Sequence, residues 1–134
     1  MNILNFKKNY ITFNNIVINF ILDEYNNIWF NGKNICEALK YKSRKDALRS
    51  HVSKKNKEHI KNFNVNIGKN IKKDSIYINE SGLYSLLIHS RTQIAIEFQE
   101  WITENVLPSL RKYGIYEIED KHKKKIKNMN LKIK

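Results

Sequence analysis

Apolar positions follow two different periods along this chain. Residues 16–22 (IVINFIL) and 28–30 (IWF) are β-branched and aromatic, and turn-forming residues 23–27 separate them, so the pattern predicts a β-hairpin. Asn31 and Gly32 break it. Ile35, Ala38 and Leu39 then mark a short helix ending near Tyr41. A second short helix begins at Ser43, with Asp46 as a first-turn carboxylate, and runs to about Val52. Its inward stripe is Ala47, Leu48 and Val52, which leaves Arg44, Lys45 and Arg49 facing outward. From Lys61 the period returns to two: Phe63, Val65 and Ile67 alternate with Asn64 and Asn66, and Ile76 and Ile78 resume the pattern. This predicts a second hairpin turning at Gly68–Lys73.

Two longer helices follow. Asn79 is placed as an N-cap, and Leu83, Leu86 and Leu87 recur at i, i+3 and i+4 before the stripe ends at Ser90. Ser90 with Gln93 fits a capping box, restarting a helix on which Ile94, Phe98, Trp101, Ile102 and Leu110 share one face. Glu97, Glu100 and Glu104 share another. Pro108 removes a donor and should kink or tighten the last turn, and Gly114 is placed to end it in the left-handed conformation. The fold class is therefore α+β, in the order ββαα-ββ-αα with a long C-terminal helix. Residues 1–116 form the domain, with its core over about 16–114, and 117–134 form a lysine-dense tail, helical or disordered.

At 134 residues the chain is large enough for one core without disulfides, and its one cysteine, Cys36, lies beside Ile35 and Leu39 as a buried, inert thiol. Residues 1–10, MNILNFKKNY, carry no sustained apolar stretch and no run of about 18 apolar residues occurs, so neither secretion nor a membrane span is expected.

The net charge of +12 is ambiguous by itself, because 21 of the 25 basic residues are lysine, and abundant Lys, Asn and Ile are what AT-rich codons specify. Its distribution is more telling. Residues 1–39 hold three basic and three acidic residues, 80–120 hold three and seven, and 40–73 hold twelve and two. Codon bias does not partition charge this way, whereas a polyanion-binding face does.

The best candidate for that face is the segment KSRKDALRSHVSKKNK at residues 42–57. Lys42, Arg44, Lys45 and Arg49 cluster about the start of a helix, where backbone N–H groups and the helix dipole also favour phosphate, and Lys54, Lys55 and Lys57 extend the strip. The helix pair around Tyr41 would allow a helix-turn-helix, and a lysine-tipped hairpin carrying Lys69, Lys72 and Lys73 would offer a ribbon to the same groove. Trp29, Phe30, Tyr84, Phe98 and Trp101 lie on inward stripes and are expected in the core, with Tyr41 between Lys40 and Lys42 the exception. No catalytic constellation emerges. The GIY at 114–116 lacks the YIG that a GIY-YIG nuclease needs, the four histidines have no metal-ligand spacing, and no cofactor-binding glycine loop occurs.

Three blocks carry a family resemblance: WFNGKNICEALKY at 29–41, NESGLYSLLIHS at 79–90 and AIEFQEWITENVLPSLRKYGIY at 95–116. In this order they resemble the Bro-N domain, the N-terminal module of BRO proteins of large DNA viruses, also found in phage antirepressor-type proteins. Two departures are Asn34, where the pattern has Asp, and Lys40, where it has Gly, so the turn before Tyr41 cannot rely on glycine's freedom. The resemblance implies a DNA partner, double-stranded first, with single-stranded DNA or RNA open, and a regulatory role in transcription or replication inside an infected cell. It also implies an alternative, an antirepressor-type module whose Glu97, Glu100 and Glu104 face engages a protein. Homo-oligomerisation stays open, and no cofactor is expected.

Overall fold

Asparagine makes the turns of this chain. Of its six non-glycine residues with positive φ among those described, Asn9, Asn14, Asn15 and Asn26 lie in the strand connections, and no described glycine has positive φ. Asparagine tolerates the left-handed region better than other side chains, so a sequence with only four glycines still closes tight hairpins. The structure, a computed structural model, describes residues 2, 4–65 and 71–113.

These turns organise an antiparallel six-stranded sheet of order β1-β2-β3-β4-β6-β5. The strands are β1 (Leu4–Asn5), β2 (Tyr10–Phe13), β3 (Ile16–Leu22), β4 (Ile28–Asn31), β5 (Lys57–His59) and β6 (Ile76–Ile78). β3 is shared: Ile16–Asn19 pair with β2 and Phe20–Leu22 with β4. Among the described residues four α-helices complete the α+β fold: α1 (Gly32–Ala38), α2 (Arg44–His51), α3 (Glu80–Ser90) and α4 (Gln93–Trp101). The described residues fall into two units, one ending at Glu100 and the other beginning at Trp101.

Within the first unit both sheet faces are covered. Phe20, Phe30 and Ile78 sit in register across β3, β4 and β6, at most 1% exposed, in a core with Ile35, Leu39, Leu83 and Leu86 from the helices. Alternation turns Ile21, Trp29 and Tyr77 to the other face. There Ile21, Ile60 and Tyr77 form a second cluster, against which Trp29, Phe63, Val65 and Ile71 pack.

That second cluster decides the course of the chain after β5. Residues 61–65 are not a strand: β5 lies upstream at Lys57–His59, followed by a 3-10 turn at Ile60–Asn62 and bends to Val65. Phe63 and Val65 alternate with asparagines because they cover the back of the sheet, and such covering has the same spacing as a half-buried strand. Lys72 and Lys73 lie in the return toward β6, where Lys61 N–H donates to the Lys73 carbonyl at 3.2 Å. Of the expected turn at Gly68–Lys73, Gly68, Lys69 and Asn70 lie outside the described residues, as do Ile67 of the expected strand, Gly114 and the tail. Two further strands, β1 and β2, precede the expected core.

Caps account for most helix boundaries. Asn31, Ser43 and Asn79 accept from the backbone N–H of Asn34, Asp46 and Gly82, starting α1, α2 and α3. The expected capping box at Ser90 does not form. Arg91 takes φ 52°, and the Thr92 hydroxyl accepts from Ala95 N–H at 3.1 Å, so Thr92 caps α4 while Ser90 bonds to the Thr92 hydroxyl. In the second unit, Ile102–Val106 form a π-helical turn, with Leu107 N–H bonded to the Ile102 carbonyl, and residues 107–113 remain helical. Pro108 has no N–H to give and crowds the Glu104 carbonyl, and a widened turn relieves both. Of the expected kink or tightening, the structure shows no tightening before the proline but a widened turn at Ile102–Val106.

Candidate nucleic-acid interface

The outward face of α2 is built by its inward one. Ala47 and Leu48 are buried, and helical geometry places Lys45 and Arg49 one turn apart on the opposite side, both exposed. Arg44, also exposed, is out of phase with them. Its charge opposes the burial that pushes the Cys36 thiol of α1 up to about 11. Arg49 donates to Asp46 at 2.8 Å, but the side chains are 78% and 65% exposed, so the pair is a weak one that phosphate can replace. Lys42 is exposed in the loop before Ser43.

Beyond α2, Lys54 and Lys55 occupy an exposed 3-10 turn, Lys54–Asn56, and neither has an acidic partner among the described residues. Lys57 differs. It is half-buried, and its ammonium donates to the Leu48 carbonyl at 2.9 Å, serving one of the orphan acceptors at the end of α2. Its first duty is structural. Lys72 and Lys73 are exposed, but they lie beyond the end of β6 remote from the Lys54–Asn56 turn. Lys69 lies outside the described residues. Glu97 and Glu100 are exposed on α4, and Glu104 is exposed on the π-helical turn.

Three contacts hold the basic strip. Asn79 receives and gives: its backbone N–H donates to the Asn56 carbonyl and its amide to Asn56 Oδ1, both at 3.1 Å, while its own Oδ1 caps α3. Gly82 lets α3 close on the same turn, since a Cβ there would lie 3.1 Å from the Asn56 carbonyl. Tyr41 donates its hydroxyl to the Leu86 carbonyl at 2.6 Å, pinning the α1–α2 connection to α3. The half-buried Tyr41 thus has its hydroxyl committed to the scaffold.

The N-terminal domain of the BRO family, as a sequence model, matches residues 17–108. The chain belongs to that family. It is 38% identical over 109 residues to a Bro-N domain-containing protein of Invertebrate iridescent virus 3, covering 68% of this chain and 27% of that protein. It is 36% identical over 122 residues to another from Invertebrate iridescent virus 6, covering 79% and 29%. An uncharacterized protein of Haemophilus influenzae is 34% identical over 107 residues, covering 80% and 51%. The chain thus spans between about a quarter and a half of these relatives' own lengths. No solved structure matches it.

The Bro-N blocks now have physical meanings. In NESGLY, Asn79 and Gly82 both close on Asn56, so the block clamps the turn that presents Lys54 and Lys55. In WFNGKNICEALKY, Asn31 caps α1, and Asn34 Oδ1 accepts from both the backbone and the amide of Asn19, at 3.0 and 3.2 Å. The amide at Asn34 therefore serves as an acceptor in the place where the family pattern carries a carboxylate. No group of three or more His, Cys, Asp or Glu suited to a metal ion occurs among the described residues. Nor is any described helix long and apolar enough to cross a membrane.

Proposed function

We propose that this Bro-N domain binds DNA mainly through phosphates, without catalysis, using Lys42, Arg44, Lys45 and Arg49 around α2 and Lys54 and Lys55 beyond it. The observation that carries this is the outward face of α2: two cations one turn apart, flanked by exposed cations before and after, on an element whose other side is locked into the core. Such a strip gains affinity by releasing counterions and carries little base information of its own. Double-stranded DNA is the natural ligand, because a short, exposed, rigid helix can follow a backbone or a groove. A role in regulating viral or host transcription or replication, inside the infected cell, completes the reading.

Reversing two charges tests it. Lys45→Glu with Arg49→Glu should weaken duplex binding measured by anisotropy in the full chain, while circular dichroism stays unchanged. Unaltered duplex affinity in a folded double variant would remove α2 from the interface.

A further inference from the structure

The β3–β4 turn and the segment flanking β5 enclose a groove of about 590 Å³ in which α2 takes no part. Its walls differ in chemistry. On the turn, Tyr25 stands 77% exposed, although tyrosine rings usually gain stability by finding cover. Deeper in the groove, Trp29 and Phe63 meet edge to face with centroids 5.1 Å apart. Lys54 and Lys55 line it as well, exposed and without acidic partners among the described residues, and Asn64 contributes an exposed amide.

Two of the acids in the groove are already engaged. Asp23 accepts from the backbone N–H of Tyr25 and Asn27, each at 2.9 Å, and from the Trp29 indole at 3.0 Å. Glu58 accepts from Asn62 at 2.6 Å and from the His59 N–H at 2.9 Å. Glu24 is the third acid of the lining and is exposed.

We propose that this groove is a subsite for one unpaired nucleotide, its base stacked on Tyr25 and its phosphate held by Lys54 and Lys55. The size fits, since small-ligand sites span roughly 300–1,000 Å³. Three carboxylates, Asp23, Glu24 and Glu58, and three ammonium groups, Lys54, Lys55 and Lys57, line the groove. The exposed Tyr25 ring favours a base over an acidic peptide, because a base offers it a flat face to stack on and N–H donors to the carboxylates, whereas a peptide's acids offer neither. A paired base is stacked on both sides and offers Tyr25 no free face, so the subsite selects single strands, ends and bulges. The ligand class rests on the nucleic-acid reading above; the site shares Lys54 and Lys55 with the duplex strip but includes no residue of α2.

The test compares two short single strands of equal length and charge, one with normal bases and one abasic, binding the full chain by fluorescence anisotropy. Wild type should prefer the base-bearing strand by about tenfold, as expected for one stacked base. Tyr25→Ala should abolish the preference and leave duplex affinity unchanged, and Tyr25→Phe should retain it. Tyr25 gives the turn only its backbone N–H in the bonds described, so its ring can be removed without loosening that turn. Equal wild-type affinity for both strands, a preference that survives Tyr25→Ala, or displacement of the strand by an acidic peptide that needs Tyr25 would each overturn the proposal. If duplex binding ignores reversal of Lys45 and Arg49 while the Tyr25-dependent preference persists, the α2 reading fails and this one stands.

Discussion

Lys40 occupies a position that glycine would fill at lower cost. It lies just past the end of α1 with φ 64°, donating its N–H to the Glu37 carbonyl at 3.1 Å while Tyr41 N–H reaches the Cys36 carbonyl at 3.0 Å. These are the two bonds of a Schellman motif, which calls for a left-handed residue at this site. Holding a residue with a Cβ there costs roughly 1–2 kcal/mol, and glycine's extra freedom in the unfolded chain returns roughly 0.5–1. Lys40→Gly should therefore stabilise the protein by about 0.5–1 kcal/mol, raising Tm by about 2–5 °C in a chain of this size. The Lys40 side chain is exposed, so little packing is lost with it. Urea unfolding followed by far-UV circular dichroism reads the change as a shift in midpoint at constant slope. Lys40→Ala is the control, since it removes the side chain but keeps the strain. If the glycine variant is no more stable than the alanine variant, the left-handed assignment is wrong.

Three other perturbations follow from named contacts. Gly82→Ala should destabilise by about 1–3 kcal/mol in the same unfolding assay, because its Cβ would lie 3.1 Å from Asn56 O, Ile78 Cβ and Val52 Cγ1; a neutral effect would mean that α3 does not close on the Lys54–Asn56 turn. Burial works to raise the Asp23 pKa, but hydrogen bonds from Trp29, Asn27 and Tyr25 outweigh it and hold the carboxyl below its ordinary value. Its stabilising contribution is therefore present above the unfolded-state pKa and lost as pH falls below about 4, so Asp23→Asn should flatten the acid limb of a stability–pH profile. Cys36 is 1% exposed, and its thiol is held protonated at neutral pH by burial, against the pull of Arg44, so a thiol reagent should label it only after denaturant is added.

Elements with a local signal were legible from the residues themselves. Ser43 before Asp46 and Asn79 before Gly82 are caps that act within one turn, and the structure places α2 and α3 where those caps put them. Elements that depend on distant partners were not. β5 contains Lys57, Glu58 and His59, without one apolar residue, and is a strand because β6 pairs with it. β2 and its hairpin did leave a trace, the Asn14–Asn15 pair between YITF and IVINF, whose consecutive positive φ values make the tight turn. Thr92 took the cap from Ser90 because Arg91 turns left-handed, which no propensity of arginine announces. The candidate site divides in the same way: the basic strip was visible as charge, but the diversion of Lys57 to Leu48 needs β5 beside the end of α2. Tyr25 was invisible as a site residue, since one aromatic ring in a turn has no period and gains meaning only when Lys54, Lys55 and Phe63 arrive beside it.

On the proposed function, folded residues around α2, and not total charge, hold the phosphates of a duplex. The most direct measurement is the salt dependence of duplex binding for the full chain and for the Lys45→Glu, Arg49→Glu double variant. Each phosphate contact contributes about 0.9 to the log–log slope, so losing two should flatten it by about 1.8 while the overall fold is kept. An unchanged slope in the folded variant would contradict the claim and leave the binding to other lysines of the chain.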